Sequence, residues 1–204
     1  MKRSSELENI LLKLIQLRPH GDSNRGEASR IMCSVAFEHA ESLKVLIATG
    51  NLTSAIGLLR LQYEACTRAM WLFYAASDIA VSKLMADLTQ ENAKRSHRLP
   101  MLSEMLKKLK GKAPKVALNQ LIEFKDYHWK PLSSYIHGGI HVVQRHSKGY
   151  PVPLLSQLVK SSNGVSIMVG MLLIIIANDV TNSGTIPKIQ REYLDCLPDI
   201  KVTT

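Results

Sequence analysis

The sequence predicts an all-α protein, a bundle of about six or seven helices forming one domain. Three observations carry this. Leu, Ile, Ala and Met are plentiful while aromatic residues make up only 5 % of the chain, a mixture that favours helices over sheets. Apolar residues recur every three or four positions, as in Leu7, Ile10, Leu11, Leu14 and Ile15. No segment shows the alternation of a half-buried strand, and there are no repeats or low-complexity tracts. At 204 residues, 46 % hydrophobic and 21 % charged, the chain has the size and composition of a globular domain with a real core.

The elements follow in order. Ser5-Glu-Leu-Glu8 has capping-box spacing and opens a helix to about Leu17. A polar loop, Arg18 to Gly26, leads to a second helix from about Glu27 to Thr49, which Gly50-Asn51 ends. Thr53 or Ser54 caps a third helix to about Ala76, and Ser77-Asp78 starts a fourth to about Ala93. A short fifth helix lies between Pro100 and Gly111. A sixth runs from about Lys115 to Tyr127 and must stop near Pro131. A histidine-rich turn or broken helix follows, then a rigid Gly149-Tyr-Pro-Val-Pro153 loop. Leu154 to about Thr181 is the last helix, with a candidate interruption at Asn163-Gly164. Residues 1–182 are thus expected to form the domain, and 183–204, with Pro187 and Pro198, a loosely ordered tail.

The formal net charge is +9 at pH 7, which draws polyanions. Its only dense stretch is Arg95, Arg98, Lys107, Lys108, Lys110, Lys112 and Lys115, either a solvated face or a phosphate-contacting surface. Cys33, Cys66 and Cys196 are widely spaced, which argues against a disulfide framework or a zinc site. The N-terminus reads as an amphipathic helix, not a signal sequence, so a cytoplasmic setting is expected. The uncharged run from Val165 to Ala177 is shorter than the ~20 residues a membrane span needs and reads as a core helix, with no membrane partner.

Two segments carry chemistry. On the third helix Arg60, Glu64, Thr67, Arg68 and Trp71 fall on one narrow strip of an otherwise apolar surface. Charges on such a central helix need partners, and Glu64 is four residues from either arginine. The strip is a structural ion-pair network, one wall of an anion or phosphate site, or a simple solvent face. The second segment is Ser134-Tyr-Ile-His137-Gly138-Gly139-Ile-His141-Val-Val-Gln-Arg145-His146. Histidines can act as base and acid in succession near neutral pH. RNA cleavage through the 2′-hydroxyl uses such a pair with a cation beside the phosphate. His137, His141, His146 and Arg145 are the right types, and Gly138-Gly139 would let backbone N–H groups approach a phosphate. The bland reading is a capped turn. No third metal ligand is evident, and the zinc-protease, phosphate-loop, nucleophile-elbow and dinucleotide patterns are absent, so neither metal nor cofactor is expected.

Arg60-Leu-Gln-Tyr-Glu64-Ala-Cys-Thr-Arg68-Ala-Met-Trp71, with Ser134-Tyr-Ile-His137-Gly138-Gly139 about seventy residues later, resembles a group of uncharacterised bacterial helical proteins that share an Arg-x-x-x-Glu helix and a Ser-x-x-His-Gly segment. That pattern is similar to outlying members of the HEPN superfamily, over roughly residues 30–180. The resemblance implies a HEPN-like bundle, usually a homodimer, whose active members are metal-independent ribonucleases in phage defence, toxin–antitoxin and RNA-processing systems. Their site is an Arg followed four to six residues later by a His. No arginine here has a histidine at that spacing; His141-x-x-x-Arg145 is the reversed order. The expected function is RNA binding with cleavage by His137, His141, Arg60, Glu64 and Arg68, and with Gly138, Gly139, Arg145 and His146 holding phosphate. The alternative is a non-catalytic dimeric module, an antitoxin-like partner or a sensor, that uses the same strip to contact a protein.

Overall fold

The computed structural model describes residues 1–96, 99–182 and 184–199. Among them are ten α-helices, three short 3-10 segments and no strand. The all-α class holds. The helices are α1 (Lys2–Leu12), α2 (Asn24–Ala48), α3 (Leu52–Tyr74), α4 (Asp78–Met85), α5 (Gln90–Ser96), α6 (Leu102–Leu109), α7 (Lys115–Ile136), α8 (Ile140–Lys148), α9 (Val152–Ala177) and α10 (Thr185–Glu192).

α2 and α3 form an antiparallel hairpin about a tight corner at Gly50, whose φ of 79° is left-handed. α9 packs against both, and α1 lies on α9. α6 and α7 cover the other side of α3. The main core gathers Leu7, Phe37, Tyr63, Trp71, Leu109, Leu121 and Leu173 among others. A second, smaller apolar cluster joins Leu43, Ala55, Ile56, Leu59, Leu132, Tyr135, Leu158 and Val159. It lies where the first half of α3 meets the end of α7 and the start of α9.

Several expected boundaries move. α1 begins at Lys2, so Ser5 is inside it and the Ser5–Glu8 box is not formed. Glu8 instead reaches across to α2, its Oε1 2.8 Å from Lys44 Nζ. Ser23 caps α2 and Ser77 caps α4, each hydroxyl accepting a backbone N–H three residues on. α3 begins at Leu52, leaving Thr53 free for other contacts. The expected fourth helix divides into α4 and α5 because Thr89 Oγ1 accepts the N–H of Asn92 and starts a new helix.

α7 does not stop near Pro131. It runs through the proline to Ile136. A proline inside a helix costs about 3 kcal/mol, and here burial of Leu132 and Tyr135 in the second cluster offsets that cost. α9 is likewise uninterrupted at Asn163-Gly164. Asn163 is buried and its Nδ2 donates to Ser4 Oγ and to the carbonyl of Cys196, while the Pro198 ring packs against Gly164. α9 ends at Asn178, which is left-handed with φ 51°. It is long and apolar enough to cross a bilayer, and 72 % of its most apolar window is buried inside the protein. The buried Gln62 amide bonds Ser162 and Ser166 on α9, a polar layer in an otherwise apolar contact.

The segment expected to be a loose tail is ordered over residues 184–199. α10 and the turn after it bury Ile186, Ile189, Tyr193, Cys196 and Leu197. Arg3 clamps this segment to α1, donating to both carboxylate oxygens of Asp195 at 2.9 and 3.0 Å and to the carbonyl of Glu192 at 2.7 Å. All three cysteines are free and buried. Burial pushes the Cys66 thiol up to about 12 and raises Cys33 well above its ordinary value, with Cys66 adding to the rise in Cys33.

Candidate functional site

The strip on α3 meets the end of α7. Arg60 Nε donates to Glu64 Oε1 at 2.8 Å, the i,i+4 pairing that helical spacing allows. Its guanidinium also reaches α7: Nη1 lies 3.2 Å from Ser133 Oγ and 3.4 Å from His137 Nε2. The guanidinium carbon sits 4.3 Å from the centre of the Trp129 ring, a cation–π contact. One side chain therefore joins a carboxylate, a hydroxyl, an indole face and an imidazole. Arginine has donors only, so His137 Nε2 accepts in this bond and the proton of the neutral ring sits on Nδ1.

Trp129, Ser133 and His137 fall at i, i+4 and i+8 of α7, a strip facing the one on α3. Sequence reasoning missed Trp129 and Ser133 because it ended the helix before them. The i+4 spacing was there to be read. The close approach of the two helices is helped by Gly57, one turn before Arg60. A Cβ there would lie 3.3 Å from Ile136 Cδ1.

The turn after α7 explains the two glycines. His137 ends the helix and Gly138 takes a left-handed φ of 69°. Gly139 N–H then donates 2.7 Å to the carbonyl of Ser134, closing the corner. A Cβ on Gly139 would collide with the side chain of Ser134. Ser134 Oγ accepts the N–H of His141 at 3.2 Å and so satisfies the start of α8. The Gly139 N–H, a candidate for phosphate, is thus occupied within the corner.

The other histidines do not gather at Arg60. His146 Nδ1 lies 3.4 Å from Thr53 Oγ1, and the same hydroxyl bonds Tyr150 Oη. His141 sits beside Tyr135, ring centres 6.1 Å apart. Burial raises the Tyr135 hydroxyl above its ordinary value and nearby Tyr150 adds to this, while Arg145 opposes it. This second polar group lies at the start of α3, roughly 10 Å along the helix axis from Arg60. Arg68, half-buried one turn beyond Glu64, makes no ion pair or hydrogen bond among the described residues. Of the dense basic stretch, Arg98 lies outside the described residues. His137, His141, Arg145 and His146 are all exposed. No group of three or more potential metal ligands occurs among the described residues. Two clefts of about 510 and 520 Å3 lie elsewhere and include neither Arg60 nor His137; at the corner itself His137 is exposed and Arg60 half-buried.

A protein-family model described as "Family of unknown function (DUF6988)" matches residues 33–199, most of the chain. The protein belongs to this family. No curated protein and no solved structure matches it. The family match contains α3, α7 and α8 entire, and so Arg60, Glu64, Trp129, Ser133 and His137, whereas α1 with Glu8 and Arg3 precedes it.

Proposed function

We propose that this DUF6988 protein is a HEPN-like RNA-binding protein that engages the phosphodiester backbone at the α3–α7–α8 corner and cleaves it without a metal, in phage defence or toxin–antitoxin biology. One observation supports the reading above others: an exposed imidazole, His137, stands 3.4 Å from a guanidinium held by Glu64 and Trp129. The pair supplies a positioned cation for a phosphate oxygen and a group that can accept a proton. The net charge of +9 suits a polyanionic ligand.

In the reaction, the 2′-hydroxyl takes the place of Arg60 at His137 Nε2, and that nitrogen accepts its proton as the 2′-oxygen bonds to phosphorus. The bond from phosphorus to the 5′-oxygen breaks, and that oxygen leaves with a proton from a second acid. Arg60 steadies the added negative charge. Of the histidines among the described residues His137 is the one that contacts Arg60, so a second copy of the same pair, in a homodimer, would supply the acid.

Cleavage of a structured RNA in the presence of chelator tests this. Wild type should cleave, and His137→Ala and Arg60→Ala should lose at least about a hundredfold, the usual range for a general base. Equal cleavage by wild type and His137→Ala, or no binding of RNA by wild type, overturns it.

A second reading is favoured by the exposed Ile136, Ile140 and Val143 beside His137. Such apolar residues suit a protein interface, making the corner a non-catalytic dimer or antitoxin-like contact. Dimer dissociation by Ile140→Asp, with no RNA cleavage by wild type, would establish this reading over the first.

A further inference from the structure

At the far end of α3, about 16 Å along its axis from Arg60, α3, α4 and α6 enclose a cleft of about 510 Å3, within the range of small-ligand pockets. Its apolar wall includes Trp71, Ile79 and Pro100. Lys83, Lys108 and Lys112 also line it. None of the three lysines forms an ion pair among the described residues, and no carboxylate lines the cleft. The nearest acidic residue at the start of α4, Asp78, is already paired with Arg25 at 2.7 Å. The first turn of α4, the positive end of that helix, forms part of the wall.

We infer that this cleft binds a small aromatic phosphate, its ring against Ile79, Ala80 and Pro100 and its dianion among Lys83, Lys108 and Lys112. Three ammonium groups with no ion pair among the described residues call for more than a single negative charge, and a flat apolar body fills what a free inorganic ion would leave empty. The site is separate from the Arg60–His137 corner and does not depend on RNA binding there.

Calorimetric titration with 1-naphthyl phosphate tests the inference, with 1-naphthol and inorganic phosphate as the two halves of the probe. Saturable one-site binding of the whole probe is expected, with each half at least about tenfold weaker. Lys83→Ala/Lys108→Ala/Lys112→Ala should weaken binding about tenfold or more, and its thermal unfolding should match wild type because all three lysines are exposed. Arg60→Ala should bind the probe as wild type does. Absence of binding by wild type, unchanged binding by the triple-lysine variant, or an equal loss in Arg60→Ala overturns the assignment.

Discussion

Arg60 and His137, 77 positions apart in the chain, meet with Nη1 3.4 Å from Nε2. The contact depends on α7 continuing past Pro131, since His137 ends that helix. The arginine is held on both sides, by Glu64 on its own helix and by the Trp129 face on α7. Arg60→Lys keeps the charge but loses the planar fork and the stacking. The expected cost is about 1 kcal/mol, a fall in Tm of roughly 2–4 °C, with a change in Trp129 fluorescence. An unchanged Tm and unchanged emission would show that the guanidinium does not hold the two helices.

Gly138 is the hinge that turns α7 into α8, and its φ of 69° is where a Cβ is penalised. Gly138→Ala should cost about 1–2 kcal/mol. Gly138→Asn should cost less, because asparagine tolerates the left-handed region. Thermal unfolding of the two variants should rank them in that order. The reverse order would mean the residue is not left-handed in solution.

Local rules made the α2–α3 hairpin and the Arg60–Glu64 pair legible, because a glycine corner and an i,i+4 spacing act within a few residues. They failed where distant contacts decided. The rule that ends a helix at proline weighs only the local cost, whereas Leu132 and Tyr135 are buried by α3 and α9. The C-terminal segment looked loose for the same reason. Its order comes from Arg3 gripping Asp195 192 positions away and from Asn163 holding the carbonyl of Cys196. Arg68 was grouped with Glu64 on spacing alone, but Arg60 takes that carboxylate. The three histidines are close in sequence and fall on different faces, because the Gly138 turn separates His137 from the axis that carries His141 and His146.

Lys44 and Glu8 form an ion pair with side chains only 6 and 8 % exposed. Removing one partner leaves a buried charge, so Glu8→Ala should cost about 3–5 kcal/mol. Replacing both, as Glu8→Leu/Lys44→Met, should recover most of that stability. Burial already lowers the Lys44 pKa, and Glu8 opposes the fall. In Glu8→Ala the largest part of that opposition is gone, and Glu41 still adds a smaller part. The unfolded chain then binds more protons than the folded one over a wider range below the ordinary lysine value, so the variant's stability should rise more steeply with pH there than wild type's. Chemical denaturation across alkaline pH measures the two slopes. Equal slopes would show that Glu8 does not sustain the charge on Lys44.

His128 gives a test near neutral pH. It is half-buried on α7, packed against Phe124 with ring centres 4.6 Å apart, and burial lowers its pKa below the ordinary value of 6.5. As pH falls through about 6.5, the unfolded chain takes up a proton on this ring before the folded protein does. Stability contributed by the neutral ring is therefore whole above that pH and is lost below it. His128→Phe keeps the packing against Phe124 and removes the titration. Urea midpoints at pH 7.5 and pH 5 should fall further in wild type than in the variant, and the difference between the two falls isolates His128 from every other titrating group. The same fall in both proteins would mean that His128 is protonated as readily in the fold as in the open chain, so that the end of α7 is wetter than its packing shows. The Arg60 contact, at the adjacent Trp129 and at Ser133 about one turn further on, would then be correspondingly loose.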